Sequence, residues 1–317
     1  MLEYINKGAL LSRYFIIFVL ISFSGCSNTE IGNPEALSLF SMKNDSDLSV
    51  YLQEQYLSDS SPAQPDNSDE PDTEPHTSEK DEAGFKDDMI LISSNGFIYQ
   101  AEGNRVIVSR AENGKSDTII ASIETFGNIV KLFENQNILI VVMIIKESLN
   151  PEKFNSSTQT GVLFIDISNP WIPEKLKEIQ VDGQLIDSVL RNEYIYIIQQ
   201  FKTEIDLIQY QENFSIDKLI PCYAYIDDLG QALGFLRLVQ PKDLFRPAVP
   251  SGALMTIVTA LNVKDLFEMP QSVGFIGDIQ SVSLNPASIY LNESSGSVYE
   301  INIAGTKPVF TDFDNTI

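Results

Sequence analysis

From Met89 to the C-terminus the chain alternates short apolar runs with polar turn pairs. Met89-Ile90-Leu91-Ile92 leads through Asn95-Gly96 to Phe97-Ile98-Tyr99-Gln100, and Gly103-Asn104 leads to Arg105-Val106-Ile107-Val108. Thr118-Ile119-Ile120-Ala121-Ser122-Ile123 adds a fourth run. Apolar positions recurring with period two predict half-buried strands. Asn-Gly and Gly-Asn between them predict hairpins, because tight hairpin turns require positive φ. The module then recurs. Gly127 to Val141 lies over Gly183 to Ile197 at an offset of 56 positions, with glycine, strand, polar turn and strand in the same places. From Phe97 to Ile138 the step is 41, and removing the polar loop Lys146–Thr160 brings the longer step close to it. A later copy runs Met255–Val263, Ser272–Ile276, Gln280–Leu284 and Ser288–Leu291, and Val298–Ile303 opens the next unit. A unit of about 40–45 residues with four strands is a propeller-blade period, in which radial stacking buries the faces that one blade cannot bury alone. A two-sheet sandwich predicts no such repeat.

Upstream the pattern dissolves. Asp45-Ser46-Asp47-Leu48, Val50-Tyr51-Leu52 and Tyr56-Leu57 predict a short capped amphipathic helix. Ser58 to Asp88 then carries eleven acidic and two basic residues with almost no aliphatics, and reads as a disordered, self-repelling tether. At the N-terminus Lys7 and Arg13 precede the apolar run Tyr14–Phe23, which is too short to cross a bilayer. Phe23-Ser24-Gly25-Cys26 resembles the bacterial lipobox, with Phe23 in place of the usual aliphatic residue. That resemblance implies a diacylglycerol on Cys26, cleavage before it, and attachment to a bacterial envelope membrane, at the outer membrane or the outer face of the plasma membrane. The expected division is 1–25 signal peptide, 26–88 lipidated N-terminus, helix and tether, and 89–317 propeller. Cys222 is then the only other cysteine and reads as a buried structural thiol.

Gly161-Val162-Leu163-Phe164-Ile165-Asp166-Ile167-Ser168-Asn169-Pro170-Trp171-Ile172-Pro173-Glu174 resembles the V-D-I-S-N-P-x-x-P element of LVIVD-type propeller repeats. It is also similar to secreted bacterial proteins with a C-terminal β-propeller distantly related to Trp-Asp repeats. Asp81-Glu82-Ala83 ahead of Ser94–Tyr99, and Ile257–Val263 with Asn262 for an aspartate, extend that resemblance. The family implies an envelope-exposed propeller and passes on no catalytic set. The 230 residues from Asp88 provide four or five blades. The ring is therefore small, or else incomplete at Ile317 or closed by a partner.

Charge and chemistry narrow the function. With 44 acidic against 21 basic residues and a net charge of −23, a nucleic-acid binder that neutralises phosphates over a broad surface is excluded. The single histidine, His76, falls in the tether, and no phosphate loop, Cys-x-x-Cys or nucleophile elbow occurs. No metal, cofactor or catalytic group is expected, and Asp227-Asp228 reads as a solvated turn. The candidate binding face is Trp171, Tyr210, Tyr223, Tyr225, Arg237 and Arg246, where aromatics and scarce positive charge gather around the long segment 200–254. Tyr194 and Tyr196 read as core. The expected function is a membrane-anchored, non-catalytic binding module for a protein or glycan partner. The alternatives are a carbohydrate hydrolase, which needs two carboxylates across a pocket, and a scaffold in an outer-membrane assembly complex.

Overall fold

The hairpin turns take the conformation that their residues predict: Asn95 and Gly96 have φ of 51° and 82°, while Gln136 and Asn192 have 59° and 52°. The computed structural model describes residues 38–59, 91–112, 115–146, 154–202 and 215–311. Cys26, His76, Tyr210 and the acidic tether lie outside them.

The first elements are strand β1 (Leu39–Ser41) and helix α1 (Asp45–Asp59). Blade 1 is the antiparallel meander β2 (Leu91–Ser94), β3 (Phe97–Glu102), β4 (Arg105–Glu112) and β5 (Lys115–Glu124). Blade 2 is β6 (Asn128–Asn135), β7 (Ile138–Ile145), β8 (Gln159–Asp166) and β9 (Glu174–Asp182). Blade 3 begins with β10 (Gln184–Arg191) and β11 (Tyr194–Phe201). It resumes, after an insertion holding β12 (Cys222–Ile226), β13 (Leu236–Arg237) and β14 (Leu244–Pro247), with β15 (Met255–Asn262) and β16 (Gln271–Ile276). Blade 4 is β17 (Ile279–Leu284), β18 (Ser288–Glu293), β19 (Val298–Asn302) and β20 (Val309–Phe310). Four blades among the described residues agree with the lower expected number.

One backbone bond marks the common plan. A backbone amide at or just past the end of the third strand donates to the first hairpin turn in all four blades. The pairs are Ala111 to Gly96, Ile167 to Asn137, Val263 to Glu193 and Ile303 to Ala287, at 2.7–2.8 Å. The inner strands also share a bulge, at Val130, Ile186 and Gln280. Gly183 makes the sharp crossover between blades 2 and 3 at φ 110°, where a Cβ would meet the Gln200 carbonyl at 2.7 Å.

Alternate residues of a strand point to opposite faces, so β7 serves two cores. Leu139, Val141 and Met143 meet Tyr99, Val106 and Val108 of blade 1. Ile140 and Val142 meet Ile195, Ile197 and Ile257 of blade 3. A third core joins Tyr196, Ile198 and Phe275 of blade 3 to Ile289, Leu291 and Ile301 of blade 4.

The insertion works as a clasp. Strand β12 adds to the outer edge of blade 2 (Tyr223 opposite Val181), β14 adds to blade 3 in parallel (Leu244 opposite Gly274), and β1 pairs with β14. Blades 2 and 3 thereby become six-stranded and their outer edges are covered. The helix forms as expected: Asn44 Oδ1 accepts the Asp47 amide and Asp47 Oδ2 accepts the Lys43 amide, both at 3.0 Å, a reciprocal cap. Its place in the fold differs from the expectation that grouped it with the tether. Met42, Leu48, Tyr51 and Leu52 are buried in the core between blades 2 and 3, beside Leu219, Ile220, Leu238 and Val239 of the insertion. Burial at about 1.5–3 kcal/mol per large apolar side chain holds residues 39–52 in the folded unit.

Candidate interaction face

The connections from third to fourth strand carry exposed large apolar side chains on both blade 2 and blade 3. In blade 2, Asp166 at the end of β8 accepts the Ser168 amide at 2.7 Å, and that bond holds its carboxyl below the usual range. Ile167 is buried as the root of the loop. Asn169 Oδ1 accepts the Trp171 amide at 3.3 Å, and its carbonyl accepts the Ile172 amide at 3.0 Å. The loop therefore turns outward at Trp171 and Ile172, which are 56% and 65% exposed. Phe97 of blade 1 supports the indole edge-on, ring centres 6.5 Å apart.

Blade 3 builds the same loop from different residues. Asn262 Oδ1 accepts the amides of Lys264 and Asp265 at 2.8 and 3.0 Å, and Val263 is the buried root. Asp265 Oδ1 then accepts the Phe267 amide at 3.0 Å. Glu268 turns inward, accepting from Asn262 Nδ2 at 2.7 Å and from the Tyr194 hydroxyl at 3.4 Å. Its neighbours therefore point out: Phe267 is 94% and Met269 63% exposed. Trp171 and Phe267 each stand five residues after the strand-ending Asp166 or Asn262. The equivalent position in blade 4, five after Asn302, is Lys307, whose ammonium is bound to Asp243 at 2.7 Å. The aromatic tips are a feature of the two central blades.

Lys177 of β9 reaches from blade 2 to the blade 3 loop. Its ammonium lies 3.9 Å from the Tyr225 ring centre and 5.9 Å from that of Phe267, and donates to the Leu266 carbonyl. Burial lowers its pKa, against the attraction of Asp265. A cleft beside it is lined by Phe164, Ile179, Tyr225, Leu261 and Pro270.

Of the residues expected to form a binding face, Trp171 stands on this surface and Tyr225 beneath it, against Lys177. Tyr223 is buried on the same strand, edge-on to Tyr225 at 5.7 Å, its hydroxyl pushed up to about 12 by burial. Arg237 grips Asp45 through two bonds of 2.8 and 3.0 Å and Asp217 through a third of 2.6 Å, tying the helix start to the insertion. Arg246 lies over Phe40 and Tyr51, 5.6 and 5.0 Å from their ring centres. These two cations serve the clasp. Tyr210 is outside the described residues. Asp227 is taken up by its turn, accepting the Leu229 and Gln231 amides at 2.9 and 2.8 Å. Phe267 and Met269 were not among the expected residues.

Cys222 is buried at the base of the clasp. Its amide and thiol both donate to Asp182 Oδ2, at 2.9 and 3.0 Å, while Asn155 and Ser156 donate to the same carboxylate from the blade 2 loop. Burial pushes the Cys222 thiol up, the opposite of what a thiolate nucleophile needs. Burial raises the Asp182 carboxyl as well, against those four donors' pull. Among the described residues no group of three or more histidine, cysteine or acidic side chains is placed to hold a metal, and no helix is long and apolar enough to cross a membrane.

Consecutive four-stranded meanders, stacked face to face through shared cores and built on one repeated turn bond, define a β-propeller. Residues 81–315 match the family model described as a beta propeller domain, and the chain belongs to that family. Among solved structures, the N-terminal domain of Nup159 is 11% identical over 72% of this chain and 61% of its own, with a TM-score of 0.28. The chain thus spans less than two thirds of that domain. A component of the mitotic checkpoint complex is 10% identical over 71% of this chain and 78% of its own (TM-score 0.23). Sqt1 from Saccharomyces cerevisiae is 9% identical over 68% and 69% (TM-score 0.22). These superpositions are weak and add nothing to the family match. No curated protein matches the sequence.

Proposed function

We propose that this propeller is a non-catalytic interaction module, held at a bacterial envelope membrane by lipid on Cys26 and extended from it by the acidic tether. The observation that carries the binding role is the exposure of Trp171, Ile172, Phe267 and Met269 on equivalent loops of adjacent blades. Aromatic and methionine side chains are enriched where interfaces concentrate their energy, and a rigid sheet below the loops keeps them ordered before binding. Tethering near the membrane raises the effective concentration of an envelope partner. The lipid anchor is supported by the n-region, the short apolar run and Ser24-Gly25-Cys26.

Co-purification from detergent-solubilised envelopes tests the binding role: the wild-type chain retains a partner at fixed stoichiometry, and the Trp171→Ser/Phe267→Ser variant loses it. An identical set of bound proteins in both would overturn the reading. Cys26→Ser tests the anchor separately, because it is expected to move the chain to the soluble fraction, and continued membrane retention would end that claim.

A further inference from the structure

The charges around these loops identify the chemistry of the partner. Among the described residues, three cations near the face have internal roles. Lys264 is paired with Glu193, Lys177 is held between Tyr225 and Phe267, and the Lys175 ammonium lies 5.4 Å from the Phe126 ring centre. Beside the apolar tips Glu174 and Asp265 are exposed and Asp166 partly so, with Asp265 also attracting Lys177. A partner approaching Trp171 and Phe267 therefore meets apolar knobs set among carboxylates, on a chain whose net charge is −23.

The molecule also shows what its aromatic rings accept. Lys175, Lys177 and Arg246 each lie over a ring, while the outer side of Phe267 and much of Trp171 face solvent. Cations over aromatic faces are attracted by the ring quadrupole, Trp most strongly. An anionic lipid surface is repelled by the same carboxylates, and a second copy would bring like charges together.

Building on the binding role above, we propose that this face receives a cationic amphipathic segment of a protein partner. Its apolar side would cover Trp171, Ile172, Phe267 and Met269, and its lysines or arginines would lie over the rings and beside Asp166, Glu174 and Asp265.

Trp171 is the only tryptophan of the chain, so its fluorescence reports on the face directly. The full chain is titrated with a synthetic Leu/Lys amphipathic peptide, with its Leu/Glu counterpart, and with anionic phosphatidylglycerol vesicles. The Leu/Lys peptide is expected to shift Trp171 emission to the blue and bind at least about tenfold tighter than the Leu/Glu peptide. Phe267→Ser should weaken it about tenfold or more, the range of a hot-spot truncation, and added salt should weaken it further. Equal binding of both peptides, each weakened by Phe267→Ser, would overturn the cationic assignment and leave the face in place. Peptide binding that Phe267→Ser leaves unchanged would overturn the face itself. A blue shift with vesicles and none with the Leu/Lys peptide would replace the protein partner by a lipid surface.

Discussion

Blades 2 and 3 differ from blades 1 and 4 in what has been added to the same four strands. The central pair gains β12, β13, β14 and β1 along its outer edges, and a helix over the groove between the two blades. The flanking blades keep four strands each. Blade 4 turns a polar ladder outward, with Asn292 bonded to Ser281 at 3.1 Å and Tyr290 to Glu300 at 3.3 Å, as suits a sheet face in water. The additions coincide with the aromatic tips: Trp171 and Phe267 occur on the reinforced blades, and Lys307 takes the same position on blade 4. The blade repeat supplies the architecture, while departures from it supply the proposed binding face. Exposed apolar knobs are useful only when the strands beneath them are fixed, and the clasp fixes them.

The comparison breaks most severely through the helix. Leu52→Ala removes a fully buried side chain from the core shared by α1 and blades 2 and 3, and is expected to cost about 2–5 kcal/mol in denaturant unfolding. Ile119→Ser on blade 1, where the side chain is 66% exposed, should stay within about 0.5 kcal/mol. Equal costs at the two sites would remove the distinction between clasped and plain blades. Arg237→Ala comes next, at about 1 kcal/mol, since its side chain is part-exposed and solvent screens the ion pairs. Arg237→Lys should recover less than half of that, because an ammonium cannot reproduce the two-bond grip on Asp45.

Acidity gives a smaller handle on the same region. Burial raises the carboxyl of Asp182 above its ordinary 3.8, and that of Glu178 above its ordinary 4.5. Between the folded and ordinary values the folded state binds more protons than the unfolded state, so stability from these groups falls as pH rises through that window. Lowering the pH toward the ordinary carboxylate range should therefore raise amide protection in β9 and β12, after correction for the intrinsic pH dependence of exchange, and Asp182→Asn should reduce the effect. An unchanged pH response in that variant would show that Asp182 does not titrate as its burial implies. Smallest of all are the tips: Trp171→Ser and Phe267→Ser should each alter the melting temperature by no more than about 2 °C, as exposed side chains do.

Much of the fold was legible from local pattern. The Asn-Gly, Gly-Asn and polar turn pairs announced the hairpins, the 41-residue step announced the blades, and Asp45 to Leu52 announced the helix. Where that helix docks was not legible, because Leu48 and Leu52 are buried by residues such as Leu219 and Leu238, far along the chain. The same gap affected the site. Arg237 and Arg246 stood out as scarce cations, yet charge scarcity does not say which carboxylate or ring a cation will meet, and both meet the clasp. Phe267 lies in the stretch between the apolar runs Met255–Val263 and Ser272–Ile276, where strand periodicity gives no signal. The signal was present in the spacing, since Asp166 to Trp171 and Asn262 to Phe267 are both steps of five.

Site-specific photo-cross-linking in intact cells is the sharpest test of whether the aromatic tips bind a partner. A photoreactive phenylalanine analogue is placed at Phe267 in one variant and at Tyr290, on the outward face of blade 4, in another. The account predicts one discrete adduct from position 267 and none from position 290. Equal adducts from both positions, or an adduct from position 290 alone, would contradict it.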